Sequence, residues 1–118
     1  MFDALGTWPV DRACAAAIMP DGSVRRTGDE TAEFRLASVS KLMTAWAALV
    51  AVEDGSVELD APLEEGGSLR HLLAHAGGFG FDSPQPIASP GRKRVYSNTG
   101  YERVAALVES ATGIAFAE

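Results

Sequence analysis

A serine and a lysine three residues apart, Ser38 and Lys41 in "FRLASVSKLMTAW", stand at the mouth of an otherwise oily segment. At i and i+3 of a helix both side chains share one face. In a first helical turn the backbone N–H groups lack partners, and the dipole favours developing negative charge. A hydroxyl is a weak nucleophile until a neighbouring base takes its proton. A lysine half-buried among Leu42 and Trp46 is expected to be shifted down by desolvation, which makes it such a base. Ser38 is therefore a candidate nucleophile and Lys41 the group that manages its proton. Alone, the pair also fits a helix cap beside a snorkelling lysine, and S-x-x-K arises by chance in many chains.

Two further segments carry chemistry. In "VYSNTGY", Tyr96 and Asn98 are two apart, so an extended chain points both to one side. A tyrosine can relay a proton and an asparagine can hold a substrate amide. A half-buried tyrosine before an asparagine turn is the plainer reading. In "HLLAH", His71 and His75 have the i, i+4 spacing of zinc-peptidase ligands. That motif needs a glutamate after the first histidine, and Leu72 stands there. No third ligand is evident, so no metal and no cofactor is expected, and both histidines read as structural.

These segments need elements to position them. "ACAAAIMPDGSVRRT" reads as a β-hairpin, strand Ala13–Met19 and strand Ser23–Thr27 about a Pro20-Asp21-Gly22 turn. Residues 1–12 read as a short helix or an irregular arm. A helix is expected from about Ser38 to Glu53, stopped by Asp54-Gly55. Ten of the eleven residues 42–52 are apolar, which predicts a helix buried on most sides. "DGSVELDAPLEEGG" is turn material. "SLRHLLAHAGG" predicts a short helix capped by Ser68 and stopped by Gly77-Gly78. A Pro/Gly/Ser-rich connection over 77–94 follows, of the kind that is either disordered or functional. A last helix is expected over about Thr99–Ala111, with Tyr101, Val104, Ala105 and Val108 on one stripe and Gly113 as its end. The closing "IAFAE" restarts an apolar pattern. The domain plan is 1–37, N-terminal arm and hairpin strands, and 38–118, nucleophile helix and helical domain. Two strands do not make an independently stable sheet, so these need partners.

Composition narrows the function classes. The chain has 118 residues, 47% of them hydrophobic, and a formal net charge of −6. A core can be built, and the composition argues against disorder. The acidic balance argues against non-specific nucleic-acid binding, which needs a basic footprint. The basic cluster "GRKR" at 91–94 is expected to be a solvated loop. The single cysteine, Cys14, allows no internal disulfide and reads as a small core residue. The N-terminus lacks a secretory pattern, and the oily run 42–52 is too short to span a membrane, which needs about 20 residues. The expected location is cytoplasmic, with no membrane partner.

Taken together, "FRLASVSK", "LEEGGSLRHLLAHAGGFGFD" and "PGRKRVYSNTGYERVAALVESATG" resemble the serine β-lactamase and penicillin-binding-protein family, closest to its class C-like branch of esterases and D-aminopeptidases. The resemblance runs from about Ala13 to the end, in the family's order and spacing. "SVSK" matches the S-x-x-K signature, and "YSN" is the tyrosine form of S-D-N. The resemblance implies an α/β (α+β) fold, an antiparallel-sheet hairpin plus a helical domain. It implies that Ser38 is acylated and that Lys41 shares its proton. It makes Tyr96 the base partner and the acid toward the leaving group. Asn98 would bind the substrate amide and place Lys41. It makes the "LLAHAGG" stretch structural.

The third signature, K-T-G or H-x-G on a sheet strand, has no counterpart after Asn98. The resemblance thus implies the N-terminal part of the fold, with the C-terminal strands missing. The expected function is a serine hydrolase acting on an ester, β-lactam or D-amino-acid amide. Its expected partners are a small acyl substrate and a complementary C-terminal segment. The alternatives are an acyl-binding module that does not turn over, a pseudoenzyme, or an inactive fragment with an exposed apolar face.

Overall fold

The hairpin forms where the turn residues require it. In the computed structural model, which describes residues 1–65 and 67–116, strand β1 is Ala15–Ile18 and β2 is Val24–Thr27. They pair antiparallel with Ala15 opposite Thr27 and Ile18 opposite Val24. Gly22 takes φ 81°, and Asp21 Oδ1 accepts the Ser23 N–H at 2.9 Å, which closes the turn. Asp3–Thr7 before the hairpin is a short 3-10 turn. Along β1 half-buried and exposed residues alternate, and Ile18 is on the exposed side.

Cys14 precedes β1 on that exposed side, so the expected buried cysteine is not observed. The period of two decides its face, not its chemical type. Its thiol donates to the Asp29 carbonyl at 2.6 Å.

The chain divides into two compact units, Met1–Arg35 and Leu36–Glu118. The second is helical. Helix α1 is Ser40–Glu53, α2 is Leu69–Leu73 and α3 is Asn98–Thr112. α1 ends as its sequence demands, with the Asp54 N–H on the Val50 carbonyl at 2.9 Å and Gly55 at φ 81°. α3 ends at Gly113, which takes φ 71°. α1 and α2 both pack on α3. Their shared core holds Ala48, Ala51, Leu69, Leu72, Val104 and Val108, with Val57 and Phe79 from the loops. Fully burying side chains such as Leu69 and Val104 stabilises by about 1.5–3 kcal/mol each.

Three expectations change. α1 begins at Ser40, two residues later than expected, because Ala37–Val39 form a 3-10 turn. α2 ends at Leu73, before the glycines, because the chain reverses at His75 with φ 57°. The third concerns burial. α1 is buried on one side only, through Ala48 and Ala51. Leu42 is 72% exposed and Trp46 74%, and Met43, Leu49 and Val50 join them in one apolar stripe. Composition alone could not separate a surrounded helix from one with a bare face.

The 77–94 connection is ordered by its own backbone. The Ile87 N–H reaches the Gly78 carbonyl at 2.8 Å, and Gly91 N–H reaches Ala76 at 2.8 Å. Gly78 sits at φ 88°, and a Cβ there would lie 2.2 Å from the Ala88 carbonyl oxygen. The "GRKR" residues are exposed, as expected. The apolar restart at the C-terminus makes no helix over 114–116, and 117–118, like Gly66 of the "LEEGG" turn, lie outside the described residues. Among the described residues no helix is long and apolar enough to cross a membrane.

Candidate active site

Ser38 is presented by a tight piece of backbone. It lies in the 3-10 turn Ala37–Val39, one turn ahead of α1. Ala37 before it takes φ 46°, a left-handed conformation that costs a non-glycine residue on the order of 1–3 kcal/mol. The Ser40 hydroxyl donates to the Ala37 carbonyl at 2.6 Å and braces that strained residue. The turn runs directly into α1, so Lys41 still falls beside Ser38. Its Nζ donates to Ser38 Oγ at 3.3 Å.

The surroundings of Lys41 differ from the expectation. Leu42 and Trp46 face solvent and do not enclose it. Two tyrosine faces do so instead. Nζ lies 5.1 Å from the Tyr96 ring centre and 5.8 Å from that of Tyr101, within the reach of cation–π attraction. Nζ also donates to Asn98 Oδ1 at 2.6 Å, across 57 residues of sequence. The Asn98 Nδ2 in turn donates to Asp82 Oδ1 at 2.8 Å. That second bond fixes which end of the amide faces Lys41.

Three segments therefore meet. Ser38 and Lys41 come from the start of α1, Tyr96 and Asn98 from the entry to α3, and Asp82 from the 77–94 connection. The α3 entry is held by Ser97. Its hydroxyl accepts the Gly100 N–H at 2.9 Å as the N-cap and donates to the Gly80 carbonyl at 2.7 Å. The Asn98 N–H donates to the Phe81 carbonyl at 2.7 Å. With Ser97 tied inward on both sides, Tyr96 and Asn98 flank it and stay together at the cluster.

The electrostatics follow from these contacts. Interaction with the Ser38 hydroxyl, the largest cause, holds the Tyr96 phenol below its ordinary value; desolvation opposes it, and the Lys41 ammonium adds to the lowering. Burial, then the charge of Tyr96, pushes the Tyr101 phenol up. Two neighbouring phenols are thus split in opposite directions. Tyr101 is on the stripe expected to face the core, and its hydroxyl donates to the Leu73 carbonyl at 3.2 Å.

The two histidines do not act as a pair. His71 lies in α2, and its Nδ1 is 2.9 Å from Ser68 Oγ. Ser68 holds the N-cap position, but its hydroxyl serves that ring and makes no capping bond. His75 lies beyond the helix and turns toward the tyrosines. Among the described residues no three His, Cys, Asp or Glu side chains converge as a metal site. Sequence reasoning missed Asp82 and the part Tyr101 plays around Lys41. Asp82 closes the run "GGFGFD", and only the folded loop shows that it reaches Asn98.

The beta-lactamase family model matches residues 12–118. A search of curated protein sequences finds no match. Among solved structures, the crystal structure of a beta-lactamase from Mycobacterium bovis is similar at 46% identity and a TM-score of 0.83. The alignment covers 96% of this chain and 42% of that one, so the chain spans well under half the length of that relative.

Proposed function

The chain belongs to the beta-lactamase family, and from that premise we propose that it carries the nucleophile side of a serine acyl-transfer site. The observation that supports this reading is the Lys41 ammonium, 3.3 Å from Ser38 Oγ and 2.6 Å from Asn98 Oδ1. A helix cap beside a snorkelling lysine would have no reason to meet an amide 57 residues away.

In this proposal Ser38 Oγ attacks the carbonyl carbon of an ester, a β-lactam or a D-amino-acid amide. The Oγ proton passes to the Tyr96–Lys41 pair. The lowered phenol favours Tyr96 as the acceptor, with the Lys41 ammonium stabilising the phenolate beside it. The carbonyl π electrons move onto oxygen, and backbone N–H groups hold that oxyanion. On collapse the C–O or C–N bond breaks, and Tyr96 returns the proton to the leaving group. Water then hydrolyses the acyl-serine by the same steps in reverse roles. Asn98 orients Lys41 and offers its remaining amide hydrogen to the substrate.

We also propose a complementary segment as the partner of this chain. The bare stripe of Leu42, Met43, Trp46, Leu49 and Val50 favours it, since exposed apolar surface of this kind marks an interaction face. That face also supports the second reading, a segment with no turnover of its own. Turnover of a chromogenic ester and a chromogenic β-lactam separates them. Multiple turnovers lost in Ser38→Ala support the enzyme, a single stoichiometric burst supports the acyl-binding module, and no reaction in either protein removes both.

A further inference from the structure

One residue grips the tyrosine segment from both ends. The His75 carbonyl accepts the Val95 N–H at 2.8 Å, and its Nδ1 accepts the Ser97 N–H at 3.1 Å. Between those two bonds sits Tyr96, whose ring centre is 4.5 Å from the imidazole at a 32° tilt. The imidazole also meets Tyr101, with ring centres 4.9 Å apart at a 33° tilt. To reach this position His75 takes φ 57°, a strained conformation for a residue other than glycine. Reaching left-handed backbone, two directed hydrogen bonds and two aromatic contacts in a single residue is more than filling a core requires.

We propose that His75 is a positioning residue of the acyl-transfer site, a neutral imidazole that locks Tyr96 and Asn98 against Lys41 and releases them when it takes up a proton. The proposal rests on the acyl-transfer reading above for its effect on rate, but not for its geometry. An acceptor at Nδ1 fixes the tautomer, because the ring proton must then be on Nε2. Protonation would put an N–H at Nδ1 against the Ser97 N–H, donor against donor. It would also set a second cation against the two rings that already face the Lys41 ammonium.

The surrounding charges agree. Lys41 of α1 and Arg94 of the 77–94 connection are both cationic. Tyr96 and Tyr101 present their rings. His71 is engaged with Ser68, and the carboxylate of Asp82 is engaged with Asn98. Burial first, then Arg94 and Lys41, lowers the His75 pKa. The sign follows: the contribution is complete above the ordinary imidazole value of about 6.5. It is lost as pH falls from there through the lower folded value.

The test uses the whole chain, labelled with 15N, and the rate at which an activated phosphonate phosphonylates Ser38, its Oγ displacing the leaving group at phosphorus. The chain has two histidines, so His71 is an internal control. His75 is expected as the Nε2–H tautomer at pH 7, with the Ser97 amide protected from exchange and that protection lost as His75 protonates. His75→Phe keeps a ring and loses the acceptor. It is expected to slow Ser38 labelling by about tenfold, the worth of one hydrogen bond, with cooperative melting retained. His75→Asn supplies an acceptor near the Nδ1 position and tolerates left-handed backbone. It is expected to recover most of that loss and to remove the part of the rate's fall toward acid that tracks His75 protonation.

A cationic or Nδ1–H imidazole at pH 7 would overturn the proposal. So would equal rates in the two variants, or a rate in His75→Asn that falls across the wild-type His75 titration as steeply as in the wild type. If the wild-type chain never labels at Ser38, the acyl-transfer reading fails. The tautomer and the Ser97 amide then decide the positioning claim by themselves.

Discussion

Asn98 is the residue whose removal tests the assembled site most sharply. It joins a cation and an anion through its two ends, Lys41 at 2.6 Å and Asp82 at 2.8 Å. A hydrogen bond to a charged group contributes about 1.5–3 kcal/mol. Lys41 and Asn98 are only half-buried, so the lower end applies. Asn98→Ala is therefore expected to slow modification of Ser38 by about tenfold. Asp82 is exposed, and its contact only sets the amide's orientation. Asp82→Ala is expected to cost about 0.5 kcal/mol, roughly a twofold slowing.

An exchange of the two residues gives the direct check. Asn98→Asp keeps an oxygen for Lys41 but sets a carboxylate against Asp82. Adding Asp82→Asn restores a donor to that pair and is expected to return part of the lost rate. The assay is the pseudo-first-order rate of Ser38 modification by an activated phosphonate, followed by intact mass. The reasoning is refuted if Asn98→Ala changes the rate less than twofold, or if the exchange recovers nothing over Asn98→Asp alone.

Other outcomes follow from the same contacts. The chain's two tyrosines should titrate in two resolved ultraviolet steps. Tyr96 ionises below the ordinary value of about 10 and Tyr101 above it. Tyr96→Phe should remove the lower step and Ser38→Ala should move it upward. A single step would contradict the described cluster. Ser97→Ala removes the α3 cap and the partner of the Gly80 carbonyl. It should lower stability by about 1–2 kcal/mol in urea denaturation, and an unchanged midpoint would count against that anchoring. Leu42→Lys with Trp46→Lys should reduce self-association in light scattering while circular dichroism is unchanged. A wild-type chain already monomeric at high concentration would show that the α1 face needs no cover.

Local chemistry makes several elements readable in the sequence itself. The Pro20-Asp21-Gly22 turn fixed the hairpin, Asp54-Gly55 fixed the end of α1, and Gly113 ended α3, because each supplies backbone angles that few residues accept. The S-x-x-K and Y-S-N segments were readable as chemistry, and the fold does bring Ser38, Lys41, Tyr96 and Asn98 together. What stayed hidden depends on contacts distant in sequence. Nothing in "GFGFD" says that Asp82 will meet Asn98, and nothing in "LLAHAGG" says that His75 will reverse the chain two residues before its glycines. The burial of α1 was misjudged for a related reason. An all-apolar helix reports that it needs cover, and not that the cover is present.

The measurement that tests the central claim most directly is intact mass of the protein before and after treatment with a penicillin and with an activated ester. The account predicts one covalent acyl adduct, mapped by peptide analysis to Ser38 and absent from Ser38→Ala. An adduct mapped to another residue, or a chain that takes up no acyl group from either reagent, would contradict it.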